Sequence, residues 1–234
     1  MCVVALALYQ HPDWPIILVG NRDEYHARAS APLHVWVDGS GIIGGRDLVG
    51  GGTWLGVVPE HRRMVVVTNA RGERGPDPDK VSRGVLVRDL LSATGDFASP
   101  RPNQLELFNG FNLVALDGTS AQLFTNRPDA DIRALAPDVH ALANEVIGRA
   151  CDRSWRLRTE VRSWLAGGQD PAALLGALAN DDAPALFLNN AVYGTRCSTL
   201  VAVARDGRGM MIERRFGPGG NPAGETRLVF DWGG

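Results

Sequence analysis

The first seventy residues are short apolar stretches cut by glycine-rich turns, and that pattern commits the chain to antiparallel hairpins. Cys2–Tyr9 and Pro15–Val19 flank a His-Pro-Asp-Trp-Pro turn. Val35–Val37 and Ile42–Gly45 flank Asp38-Gly39-Ser40-Gly41, a second hairpin signal. Thr53–Val58 and Met64–Thr68 follow, separated by a charged turn. Gly44, Gly45 and Gly50-Gly51-Gly52 punctuate this run as turn or bulge residues; their spacing does not fit a phosphate-binding loop, and no helix pattern follows directly.

Helices arrive in the middle of the chain. The spacing of Val81, Val85, Leu86, Leu90 and Leu91 predicts a helix over Asp79–Ser92, with Asp79 as its cap. Strands return at Phe111–Leu116 and Ala121–Thr125. Helical stretches then cover about Ala150–Leu165 and Pro171–Leu178, before closing strands at Thr199–Ala204, Met210–Arg215 and Thr226–Phe230. Helices inserted among hairpins predict a single α+β domain over residues 1–234, with helices covering stacked sheets rather than a doubly wound parallel sheet.

Composition narrows the function classes. Of the 234 residues 44% are hydrophobic and only 21% charged, which suits a filled core, and the net charge of −2 leaves no footprint for nucleic acid. The apolar stretch at Val3–Tyr9 is too short to span a bilayer, so no membrane insertion is expected. No targeting signal is visible, and Cys2, Cys151 and Cys197 have neither metal-ligand spacing nor an even-numbered disulfide pattern. A cytoplasmic, reducing setting without a metal is the expectation.

Chemistry concentrates at residue two. If Met1 is trimmed, Cys2 carries a thiol and a free α-amine together, and an amine titrating at about 7.7–8.0 can accept the thiol proton. The plainer alternative is a small apolar residue opening a strand. Asn21-Arg22-Asp23-Glu24 follows the second strand, and a hairpin brings it back toward Cys2. A guanidinium beside the thiol favours the thiolate. Adjacent strand residues point to opposite faces, however, so Arg22 and Asp23 cannot both address Cys2 from a regular strand; Glu24 takes one role, or a bend brings both round.

Met1-Cys2 with Asn21-Arg22-Asp23-Glu24 resembles the NRDE family, also called the transport and Golgi organization protein 2 family. Gly44-Gly45-Arg46-Asp47, Gly52-Thr53-Trp54-Leu55-Gly56, Ser82-Arg83-Gly84, Asn109-Gly110-Phe111-Asn112-Leu113 and Tyr193-Gly194-Thr195-Arg196 extend the likeness over most of the chain. Cys197 stands where that family leads one to expect serine. The resemblance implies a branch of the N-terminal nucleophile hydrolases, a four-layer αββα sandwich, with choloylglycine hydrolases and penicillin V acylases as mechanistic relatives. It assigns catalysis to Cys2, Arg22, Asp23, Asn69, Asn126 and Arg196, and substrate contacts to Asn21, Glu24, Trp54, Asn112 and Tyr193. The implied reaction is attack on a small amide or thioester with no cofactor required, Asn69 and Asn126 stabilising the oxyanion. The alternative implied by the family is a non-catalytic carrier of haem or of a lipid or acyl-coenzyme A. For haem as cargo, Tyr25 and His26 are the axial candidates. No protein partner can be named.

Overall fold

The structure, a computed structural model, describes residues 2–71, 75–147, 149 and 151–233. The first elements in chain order are β1 (Cys2–Leu8), β2 (Ile16–Tyr25), β3 (Ser30–Val35), β4 (Ile43–Asp47), β5 (Leu55–Val58) and β6 (Arg63–Asn69). Helices α1 (Arg83–Ser92) and α2 (Pro102–Leu105) precede β7 (Phe111–Asp117), β8 (Ser120–Asn126), β9 (Ala130–Ala134) and β10 (Val139–Leu142). The chain closes with α3 (Asp152–Leu165), α4 (Leu174–Ala177), β11 (Tyr193–Val203), β12 (Arg208–Phe216) and β13 (Pro222–Asp231).

The strands form two antiparallel sheets, ordered β10-β1-β2-β11-β12-β13 and β3-β4-β5-β6-β7-β8-β9. Alternation along each strand sorts the apolar residues into three cores. Val4, Leu6, Leu18 and Val201 meet Leu55, Val66 and Val114 between the sheets. Val3, Ala5, Ile17 and Val19 instead pack on Leu157 and Val161 of α3 and on Leu174 of α4. Val65, Leu113 and Phe124 pack on Leu86, Val87 and Leu91 of α1. The result is the expected α+β arrangement of helix, sheet, sheet, helix, with both sheets buried on two faces.

The differences from the sequence reading have physical causes. β2 does not stop at Val19 but runs through Asn21-Arg22-Asp23-Glu24, because β1 and β11 flank it and its buried polar side chains find partners across the sheet. α1 starts at Arg83 rather than Asp79: the Ser82 hydroxyl caps it by accepting from the Gly84 N–H, while Asp79 lies in the preceding turn. β11 begins at Tyr193, six residues earlier than expected, and bulges between Thr195 and Cys197. Strands β9 and β10 escaped the sequence reading because their sequences are short and weakly patterned. The Ala150 start expected for α3 lies outside the described residues.

No helix among the described residues is long and apolar enough to cross a membrane.

Candidate active site

Strand register assembles the site. Cys2 at the start of β1 pairs with Arg22 of β2, and Arg22 pairs on its other side with Cys197 of β11. By alternation all three side chains fall on the face turned toward the second sheet. Two strand spacings, about 9.6 Å, separate the α-carbons of Cys2 and Cys197, beyond the roughly 7 Å that a disulfide spans.

Above these residues opens a cleft of about 520 Å³. Cys2 lines it although the residue is only 7% exposed. Glu213 and Arg215 of β12 continue the same surface, while Arg46, Asp47, Thr53 and Trp54 come from the facing sheet and its loop. Asn69 at the end of β6 and the segment 76–84 complete the enclosure.

The charges around Cys2 form a loose network. Arg22 Nη2 lies 3.9 Å from Glu24 Oε2 and 3.8 Å from Asp47 Oδ2. Arg28 Nε donates to Asp47 Oδ2 at 2.8 Å, and the N–H groups of Val49 and Gly50 donate to Asp47 Oδ1. Against the upward push of burial, the Gly50 N–H, the Arg28 side chain and the Val49 N–H hold Asp47 below the usual carboxylate range. Asp47 is thus the anchor that keeps Arg22 and Arg28 in the cleft.

The thiol departs from the sequence expectation. Burial pushes the Cys2 thiol above its usual value and the Asp23 carboxylate adds to that push, outweighing the positive N-terminal charge, the Arg22 guanidinium and a hydrogen bond from the Asp23 N–H. Cys197 is raised as well, first by burial and then by the Glu213 carboxylate. Cys2 therefore rests protonated, and its reaction as a nucleophile requires a base.

Of the residues anticipated from sequence, Cys2, Arg22, Glu24, Trp54, Asn69 and Arg196 share the cleft, and Asp23 borders it. The Asp23 carboxylate points to the other face of the sheet, where it is 2% exposed. There Thr195 Oγ1 donates to Oδ1 at 2.7 Å and Arg153 Nη2 of α3 donates to Oδ2 at 2.9 Å. Arg196, in the β-bulge, gives Nη1 to the carbonyls of Tyr25, His26 and Arg28, so it clasps the turn after β2.

Four anticipated residues lie elsewhere. Asn21, fully buried, donates to the carbonyls of Leu178 and Leu186 and accepts from Ser198 Oγ, which ties β2 to the helical layer. Asn126 donates to the carbonyls of Leu105 and Phe108 and accepts from the Phe111 N–H. Both its N–H groups are engaged in holding the segment before β7, so it is not an oxyanion donor in this arrangement. Asn112 donates to the Glu145 carbonyl and accepts from Thr125 Oγ1. The Tyr193 hydroxyl donates to the Asp23 carbonyl at 2.9 Å. Tyr25 and His26 also lie outside the cleft: Tyr25 stacks edge-to-face on Tyr193, and His26 Nε2 is 3.1 Å from the Asn190 carbonyl.

Arg83, the first residue of α1, was read only as part of a short motif, yet it lines the same cleft as Cys2. Its place follows from glycine. A Cβ at Gly52 would stand 2.0 Å from the Gly84 carbonyl oxygen, so only glycine lets α1 approach the loop before β5 this closely. The sequence signal was available in Ser82 as a cap and Gly84 beside it. Among the described residues, no group of three or more His, Cys, Asp or Glu is placed to hold a metal ion.

Comparison with known proteins agrees with this architecture. The chain is 27% identical to the mouse transport and Golgi organization 2 homolog and 27% identical to the human homolog, each over 92% of both chains. It is 30% identical to the Drosophila melanogaster protein of that name over 52% of this chain and 47% of the relative. A solved structure, the Caenorhabditis elegans ortholog of N-acylethanolamine-hydrolyzing acid amidase, has the same fold, an N-terminal nucleophile hydrolase architecture. The two superpose with a TM-score of 0.54 at 12% identity, covering 85% of this chain and 92% of that one. The model of the family described as Transport and Golgi organisation 2 matches residues 1–218, and the chain belongs to that family.

Proposed function

We propose that the protein is a cysteine-dependent acyl-transfer or amide-hydrolysing enzyme whose nucleophile is Cys2 once Met1 has been removed. The observation that carries this reading is the placement of Cys2 beside Arg22 on an open cleft. The likeness to an amidase in fold supports amide chemistry as the reaction class. Because the thiol rests protonated, the freed α-amine is the base that takes its proton. Sulfur then bonds to the acyl carbon and the carbonyl electron pair moves to oxygen. Asn69, the anticipated oxyanion donor that lines the cleft, is the side chain available to that oxygen. Collapse breaks the bond to the leaving nitrogen or sulfur, which leaves with the proton carried by the amine. Water attacks the acyl-enzyme by the same route, restoring thiol and amine. The Asp23 N–H steadies the sulfur, while its carboxylate holds the start of the strand pair.

Haem as cargo draws no support from Tyr25 and His26, since neither lines the cleft. The enzyme reading assumes a reducing, cytoplasmic setting in which the thiols stay free.

Intact mass and iodoacetamide labelling test the proposal. Purified protein should lack Met1, and Cys2 should alkylate at least about tenfold faster near pH 7.5 than in a variant that retains the methionine. A retained methionine, or equal labelling of Cys2, Cys151 and Cys197, rules the proposal out.

A further inference from the structure

We infer that the acyl compound taken by this cleft carries an anionic group, a carboxylate or a phosphate, seated on the Arg83 guanidinium that lines it together with Cys2. The inference rests on Cys2 being the nucleophile. Its starting point is charge distribution: the chain as a whole is at −2, yet seven Arg and Lys side chains line the cleft against five carboxylates.

Most of these cations are already engaged. Arg22 and Arg28 share Glu24 and Asp47, and Arg215 Nη1 lies 3.5 Å from Glu213 Oε1. Arg46 reaches Asp38 at 3.2 Å, Lys80 donates to the Glu106 carbonyl, and Arg196 holds its three carbonyls. Arg83 differs. Its one hydrogen bond runs from Nη1 to the Gly110 carbonyl at 3.0 Å, and among the described residues it has no carboxylate partner. A guanidinium carries five N–H donors, and none of those left on Arg83, a residue lining the cleft, is both buried and unsatisfied. Burial pulls the Arg83 value down, while the Cys2 sulfur and Glu24 pull it back up, which places both within its electrostatic reach.

A half-buried cation in the nucleophile's cleft without a carboxylate partner is costly when the cleft fills with a neutral acyl chain, because water leaves and nothing replaces it. An anion restores the balance, and a guanidinium fork matches carboxylate and phosphate oxygens two at a time. The rigid seat from Ser82, Gly84 and Gly52 holds the fork in place before substrate arrives. The anion belongs in the same cleft as the scissile carbonyl, since Arg83 and Cys2 both line it.

Iodoacetate and iodoacetamide separate the outcomes. Both place a methylene carbon on sulfur and release iodide, and they differ by one negative charge. In the wild-type protein iodoacetate should alkylate Cys2 about tenfold faster than iodoacetamide, equivalent to ~1.4 kcal/mol. Raising salt should shrink that ratio. Arg83→Gln should abolish the preference whatever it does to the rate shared by both reagents, Arg83→Lys should keep part of it, and Arg22→Gln should slow both reagents alike. Equal slowing of both reagents by Arg83→Gln, or a wild-type preference for iodoacetamide, overturns the inference and leaves the nucleophile intact. Should Cys2 take neither reagent, the nucleophile falls and this inference with it. If Arg83→Gln fails to fold, the Arg83→Lys ratio and the wild-type salt titration decide.

Discussion

The two faces of β2 carry the same four-residue signature to opposite ends. Asn21 and Asp23 point to the helical layer, are buried, and are held by short hydrogen bonds from or to Ser198, Leu178, Thr195 and Arg153. Arg22 and Glu24 point to the cleft, and their ion pairs are long, 3.8 and 3.9 Å, with room between them. Well-satisfied polar groups in a dry layer specify a structure, and loosely paired charges at an opening are free to meet a ligand. A motif read along the chain hides this division, which strand alternation makes visible.

Mutations on the helical face should therefore unfold the protein before they touch the chemistry. Arg153→Ala removes one partner of the buried Asp23 carboxylate and the donor to the Ala185 carbonyl, leaving the Leu186 carbonyl with Asn21 alone, which should cost about 3–5 kcal/mol in urea unfolding. The double variant Arg153→Ala with Asp23→Asn should recover part of that loss, because the buried charge goes too. Next in size, Asn21→Ala should cost about 1–3 kcal/mol, since it leaves the Leu178 carbonyl and the Ser198 hydroxyl without their partner and takes one of two donors from the Leu186 carbonyl. A stability unchanged by either substitution would erase the distinction between the faces.

On the cleft face the balance reverses. Arg22→Gln should change stability by no more than about 1 kcal/mol, because its ion pairs are long. The same substitution should slow Cys2 alkylation severalfold, as the charge nearest the sulfur along the sheet disappears. Loss of stability comparable to that of Asn21→Ala would mean that Arg22 is a structural residue like its neighbours.

Much of the fold was legible because hydrophobic alternation and glycine turns are local signals: the β1–β2 hairpin, β6 to β8 and α1 all follow from them. The opposed directions of Arg22 and Asp23 also follow from alternation alone. Asn126 and Asn112 show where local reading stops. Asn126 follows a strand as the acylase likeness requires and Asn112 sits in one as a substrate-contact candidate, yet the carbonyls of Leu105, Phe108 and Glu145 claim their amides, and those groups arrive from distant segments. Arg83 was hidden for the converse reason. Ser82 and Gly84 mark where the helix starts but not what it faces, and the contact of Gly52 with Gly84 turns the start of α1 onto the site.

The last expected effect is a slope rather than a step and concerns pH, and it tests whether burial or the guanidinium governs the thiols. Cys2 and Cys197 are both raised above the ordinary thiol value, so the folded chain keeps protons that the unfolded chain releases. Stability must then fall as pH rises past the unfolded value of about 8.5, by at most about 1.4 kcal/mol per pH unit for each thiol, until the folded thiols also ionise. Below that value these groups contribute nothing to the slope. Cys197→Ser removes one share, so its urea midpoint should decline less steeply than that of the wild type between pH 8 and 10. Identical slopes would mean that Arg22, paired in register with both cysteines, already offsets their burial, and that the cleft face stabilises thiolate in the resting protein as the sequence alone suggested.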